Sequence, residues 1–160
     1  MKYFTEKIEE QFLTQGDDQW PKNHKAYWEE FNHIAEKFPR LFVKEYEKTA
    51  FHDFEILSIN WYRDKKRENS VLVQIQMQYD DFIYTIRYFN ITHLTLNFEK
   101  ALWGQNNNYL YGEILPANAN ALSYEIMFGE RNSIYFEFTN LKFNRRKAGI
   151  VKRRSRDSYI

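Results

Sequence analysis

The run VLVQIQMQYDDFIYTIRYF, residues 71–89, decides the fold class. Val71, Val73, Ile75, Met77 and Tyr79 fall on one side of a period-2 repeat, and Gln74, Gln76 and Gln78 fall on the other. Successive side chains of a strand point to opposite faces, so this is a strand with one dry and one wet face. Phe82, Tyr84, Ile86 and Tyr88 repeat the pattern, with Thr85 and Arg87 opposite. With Asp80-Asp81 as a two-residue turn, Met77 pairs with Tyr84, Ile75 with Ile86 and Val73 with Tyr88. On the other face Gln76 meets Thr85 and Gln74 meets Arg87. A slip of one residue would invert one strand's apolar set. Asp-Asp is a poorer hairpin turn than Asp-Gly, because the favoured turns need positive φ, and a longer loop of the same parity fits as well. Cross-strand pairs contribute about 0.2–1 kcal/mol each. Burial of the whole apolar face is worth more and demands a covering layer.

Helical patterns upstream of the hairpin supply that layer. Phe4, Ile8, Phe12 and Leu13 predict a helix over 4–15, stopped by Gly16. Tyr27, Trp28, Phe31, Ile34, Ala35 and Phe38 form one apolar stripe and predict a second helix over about 22–37. Pro39 ends it and opens a third, shorter helix through about Thr49. From Phe51 the period turns to alternation. Strands are predicted at about 54–62, 71–79, 82–89, 92–98, 108–115, 121–128 and 133–142, the stretch 82–98 being one bent strand or two. Helices first and strands after define an α+β fold, with N-terminal helices packed on one face of a mostly antiparallel sheet of about six or seven strands.

At 160 residues the chain is long enough for one domain with a substantial core. Aromatic residues are 19% of it, with 14 Phe and 12 Tyr, so many packed rings carry polar tips. There is no cysteine, which removes disulfides, thiol catalysis and Cys-ligated zinc. No apolar run approaches the roughly 20 residues of a membrane span. The opening MKYFTEKIEEQF carries acids where a signal peptide needs an apolar core, so a cytoplasmic protein is expected. Between Asn144 and Ile160, Arg145, Arg146, Lys147, Lys152, Arg153, Arg154 and Arg156 stand against Asp157 alone. That segment is +6 in a chain of net +1, which leaves −5 for the rest. The expected organisation is a single domain over 1–143 with a basic tail over 144–160.

Motifs for chemistry are few. His52-Asp53 lies at the helix-to-strand junction, and a His beside an Asp invites an acid–base or metal role. Neighbours on an extended chain point apart, however, so the reading favoured is structural: Asp53 accepts turn N–H groups and His52 fixes the junction. Glu30 and His33 have the Glu-x-x-His spacing of carboxylate metal bundles, but no second copy accompanies them. His24 and His93 have no partner at ligand spacing. Asp80-Asp81 lacks the oxygen series a hard cation needs. No glycine-rich phosphate loop, Gly-x-Ser-x-Gly or His-Glu-x-x-His occurs. No metal, cofactor or catalytic set is expected.

Met1-Lys2-Tyr3-Phe4-Thr5, and Phe51-His52-Asp53 leading into Ile56, resemble an uncharacterised bacterial family that opens M-[KR]-Y-F-T and carries an [LF]-H-D-x-x-I motif. The build is also similar to that of the small immunity proteins of bacterial toxin systems. The resemblance implies a small cytoplasmic bacterial protein and brings no catalytic residues. The expected function is therefore non-enzymatic binding, of the immunity or inhibitor type, to a protein partner such as a basic toxin domain. The expected contact residues are Asp80, Asp81, Glu113, Glu125 and Glu137, since an acidic surface complements a basic cleft. The alternative is a nucleic-acid-associated protein that uses Arg145, Arg146, Lys147, Arg153 and Arg154 of the tail on phosphates. A third is a hydrolase or small-ligand protein with its pocket at His52 and Asp53.

Overall fold

A computed structural model of the chain describes residues 1–5, 18–63, 70–97, 108–129 and 132–149. Among the described residues two helices, α1 (Gln19–Asn32) and α2 (Arg40–Thr49), precede eight strands. The strands are β1 (Glu55–Arg63), β2 (Val71–Tyr79), β3 (Phe82–Phe89), β4 (His93–Asn97), β5 (Tyr109–Pro116), β6 (Leu122–Phe128), β7 (Asn132–Phe138) and β8 (Asn140–Lys147). The helix expected over 4–15 lies almost wholly outside the described residues. The second helix ends at Asn32, earlier than expected, because His33 and Ile34 bond back to Glu30 and Phe31 in tighter i→i−3 turns. A single 3-10 turn, Ala35–Lys37, follows, and Phe38 is extended (ψ 155°) as Pro39 requires of its predecessor.

The α+β class is as read, but the strands form two antiparallel sheets of four. Their orders are β1-β2-β3-β8 and β4-β7-β6-β5. The β2–β3 register is the expected one: Met77 faces Tyr84, Ile75 faces Ile86 and Val73 faces Tyr88. Asp80 supplies the positive φ (49°) that this turn needs. The stretch 133–142, read as one strand, is two. The buried set runs Ile134, Phe136, Phe138 and then changes parity to Leu141. The chain crosses at Thr139 from the second sheet to the first. Residues 82–97 make the reverse crossing, from the first sheet to the second, at Asn90, whose φ is 56°. The two crossings are tied together. Asn90 Nδ2 donates to Thr139 Oγ1 at 2.6 Å, and the Thr139 N–H donates to the Phe89 carbonyl at 3.1 Å.

Tyr88 of β3 packs its ring on Phe136 and Phe138 of β7, at 4.7 and 5.0 Å between centroids, so the inward faces of the sheets meet in one core. The helices join that core through rings. Phe42 of α2 contacts Phe143 of β8 at 5.7 Å, and Phe51, after α2, contacts Phe54 at 5.2 Å. Burying each such side chain stabilises by about 1.5–3 kcal/mol.

Candidate functional site: an aromatic cleft between the helices and β5

The edge of β5 shows how the helices are held. The Ile114 N–H donates to the Tyr27 hydroxyl at 3.0 Å, and the Tyr46 hydroxyl donates to the Gly112 carbonyl at 2.8 Å. The two hydroxyls are 2.6 Å apart, and since Tyr46 spends its proton on Gly112, Tyr27 donates to Tyr46. Two backbone groups of an edge strand are thereby satisfied by side chains of α1 and α2. Burial raises the pKa of both phenols, so both stay protonated.

Beside this contact, α1, the end of α2, the N-terminal residues and β5 enclose a cleft of about 470 Å³. Its wall is aromatic: Phe4, Trp20, Tyr27, Trp28 and Tyr111. Trp20 meets Tyr111 edge-on at 5.0 Å, and Phe4 lies 5.3 Å from Trp20. Trp28 Nε1 donates to His24 Nε2 at 3.1 Å, which requires His24 to accept at that nitrogen. Glu47, Lys48, Thr49 and His52 bring the polar groups. Volume and lining are those of a ligand or side-chain pocket.

Phe4 reaches the cleft because of Glu113. That carboxylate is 2% exposed and accepts the backbone N–H groups of Lys2, Tyr3 and Phe4 at 2.6, 2.6 and 2.5 Å. Glu30 holds the same segment from α1, taking Lys2 Nζ at 2.8 Å and the Tyr3 hydroxyl at 2.5 Å. These two hydrogen bonds, the lysine's first, hold the Glu30 carboxyl below its ordinary value. The opening Met-Lys-Tyr-Phe is thus an anchor strap for one wall of the cleft.

His52 and Asp53 depart from the expected geometry. Ala50, Phe51 and Asp53 all have positive φ (48°, 57° and 65°), so the chain turns sharply where an extended run was assumed. The turn brings His52 Nδ1 within 3.0 Å of Asp53 Oδ2, and the His52 ring lies 5.3 Å from that of Tyr111. His52 lines the cleft; Asp53 is not among its lining residues. Thr49 Oγ1, on the same wall, donates to the Glu45 carbonyl and accepts from the Phe51 N–H.

The five carboxylates expected to meet a partner are not gathered on one surface. Asp80 and Asp81 are exposed at the β2–β3 tip. Glu113 is a correction: it is buried and occupied by backbone donors, so it offers a partner nothing. Glu125 is half-buried and pairs with the Met1 amine. Glu137 is half-buried and accepts from the Tyr135 hydroxyl at 3.0 Å.

The basic segment is divided as well. Arg145, Arg146 and Lys147 are residues of β8, paired with Tyr84, Ile83 and Phe82 of β3. Arg145 is exposed, yet it donates to the buried Glu45 at Oε1, 2.5 Å away, and lies 4.8 Å over the Phe82 ring, so its charge is already paired within the chain. Arg153 and Arg154 lie outside the described residues.

Among the described residues no group of three or more His, Cys, Asp or Glu is placed to hold a metal. No helix among them is long and apolar enough to cross a membrane. The sequence and fold define an α+β protein of two four-stranded antiparallel sheets closed by helices. Comparison with protein-family models, with curated proteins and with solved structures finds no match to this chain.

The sequence reading missed Trp20, Trp28, Tyr111 and Glu47 as cleft residues. An aromatic stripe on a helix reads as core, and only the half-burial of Trp28 and Tyr111 separates lining from core.

Proposed function

We propose that this chain is a non-enzymatic binding protein of the inhibitor kind, and that its cleft receives a projecting cationic side chain of a basic protein partner. The observation that carries the reading is the pairing of Trp20, Trp28 and Tyr111 with the Glu47 carboxylate around one open cleft. Aromatic faces attract a desolvated guanidinium or ammonium, and a carboxylate beside them fixes its charge. Trp and Tyr anchors of this sort dominate binding energy at protein interfaces. A basic toxin domain is a partner of the fitting chemistry. The test is a tryptophan-fluorescence titration with N-acetyl-arginine amide, with N-acetyl-norleucine amide as the uncharged control. A saturable change for the arginine probe alone, weakened by Glu47→Gln and abolished by Trp28→Ala, is expected. Equal response to both probes, or none, overturns the reading.

One observation favours a second reading, contact with nucleic acid. Arg87 and Lys142 face each other across β3 and β8, and Arg146 shares their outward face beside Gln74, Gln76 and Thr85. Phosphate binding there predicts an affinity that falls steeply with salt and drops when these three cations are replaced by Gln. An affinity indifferent to salt removes it.

A further inference from the structure

His24 and Trp28 stand one turn apart on α1, and both line the aromatic cleft. Trp28 Nε1 donates to His24 Nε2 at 3.1 Å. An indole nitrogen can only donate, so Nε2 of His24 carries no proton and the imidazole is neutral. The bond fixes one edge of the Trp28 ring. The same ring also packs on Phe31 at 5.4 Å and on Tyr46 at 5.5 Å, both fully buried. The His24 ring lies 6.1 Å from the rings of Trp28 and Phe4, so it is part of the cleft wall and still reaches solvent.

Histidine changes charge between pH 5 and 8. A protonated imidazole is a donor at both nitrogens and cannot accept from the indole. Gaining a proton therefore breaks the His24–Trp28 bond and puts a positive charge on the wall. The titratable groups that share the cleft are Glu47 and Lys48 from α2, His52 from the turn after it, and the phenols of Tyr27 and Tyr111; Phe4 brings none. His52 Nδ1 lies 3.0 Å from the Asp53 carboxylate, which offsets a charge there. With His24 neutral, Glu47 and Lys48 leave the lining balanced, one charge of each sign. With His24 protonated, the described lining residues carry one positive charge in excess. That surplus opposes a cationic guest, and the indole loses the bond that fixes its ring.

We infer, on the reading of the cleft as a cation site, that His24 is its proton-operated gate: a cationic side chain is held while His24 is neutral and released when it is protonated. Affinity is then full above the titration range of histidine and falls as pH falls through it. A basic partner is let go on acidification.

Titration of the full chain with N-acetyl-arginine amide at pH 8 and pH 5.5 tests the gate, since the guanidinium stays charged at both. The wild type is expected to bind about fivefold more weakly at pH 5.5, the effect of one exposed like charge. His24→Gln supplies an acceptor oxygen for the indole and takes no proton, so the ratio of its two affinities is expected to be close to one. His52→Gln is expected to keep the ratio of the wild type. The indole N–H resonance of Trp28, assigned by its loss in Trp28→Phe, reports the hydrogen bond without any probe. It is expected to move upfield between pH 8 and pH 5.5 in the wild type and to stay in place in His24→Gln. Binding that is equal at the two pH values, or a drop that His24→Gln leaves intact, overturns the gate while the cation reading stands. An indole resonance that does not move overturns the gate as well. No binding at pH 8 overturns the cation reading itself, and the gate with it.

Discussion

The hydroxyl of Tyr109 fills the space that a side chain at Gly112 would need. A Cβ on Gly112 would lie 1.7 Å from that oxygen, 2.7 Å from Cζ of the same ring and 2.9 Å from Cε2 of Tyr124. Tyr109 and Tyr124 are fully buried and share a hydrogen bond of 2.8 Å, so neither ring can swing aside.

Gly112→Ala is therefore expected to destabilise the fold by about 3 kcal/mol, the upper end of ordinary overpacking. Urea unfolding measures it. Adding Tyr109→Phe should not rescue the variant, because the ring carbon stays in place when the hydroxyl goes. Full rescue would show that the oxygen alone sets the conflict.

Tyr46 and Tyr88 lead to opposite expectations for the same substitution. Tyr46→Phe strands the Gly112 carbonyl and removes the acceptor of Tyr27, at a cost of about 1–3 kcal/mol. Among the described residues the buried Tyr88 hydroxyl has no hydrogen-bond partner. Tyr88→Phe discards an unsatisfied polar group and is expected to be neutral or stabilising by about 1 kcal/mol. Equal losses for the two variants would contradict the hydrogen-bond assignment.

Alkaline pH should unfold this protein cooperatively. Burial raises the phenol pKa of Tyr27, Tyr46, Tyr88, Tyr109 and Tyr124 above the ordinary value of 10.0. A group whose folded pKa is raised contributes stability that is complete below the unfolded pKa. That contribution is lost as pH rises from there toward the folded pKa. Above pH 10 each of the five thus removes about 1.4 kcal/mol per pH unit. Tyrosinate absorbance followed alongside circular dichroism checks this. The buried five should titrate only together with loss of structure.

Arg145 and Glu45 should behave as a coupled pair. Glu45 is 7% exposed, whereas the Arg145 side chain is 36% exposed, so Arg145→Ala leaves a buried carboxylate without its cation at a solvent-screened cost of about 1–2 kcal/mol. Arg145→Met combined with Glu45→Met should cost less than Arg145→Ala alone, since no buried charge is left unpaired. Arg146→Ala, on the outward face, should change stability by less than about 0.5 kcal/mol. Thermal or urea unfolding of the set separates a cation built into the fold from one free for a ligand.

Local pattern alone determined a good deal of this protein. Alternation over 71–89 specified a hairpin and its register, because only one pairing puts both apolar sets on the same face. The helical stripe and Pro39 specified that α1 and α2 exist, though α1 ends at Asn32, five residues short of the expected 37. The change of parity between Phe138 and Leu141 was present in the sequence too, as the mark of a strand that leaves one sheet for another. Tertiary structure alone decided the rest. It buried Glu113 under three backbone donors, tied Arg145 to Glu45, folded His52 back on Asp53 through left-handed residues, and opened a cleft along an aromatic stripe. Each of these depends on contacts between residues far apart in the chain or on backbone angles that side-chain type does not dictate, and periodicity carries no record of either.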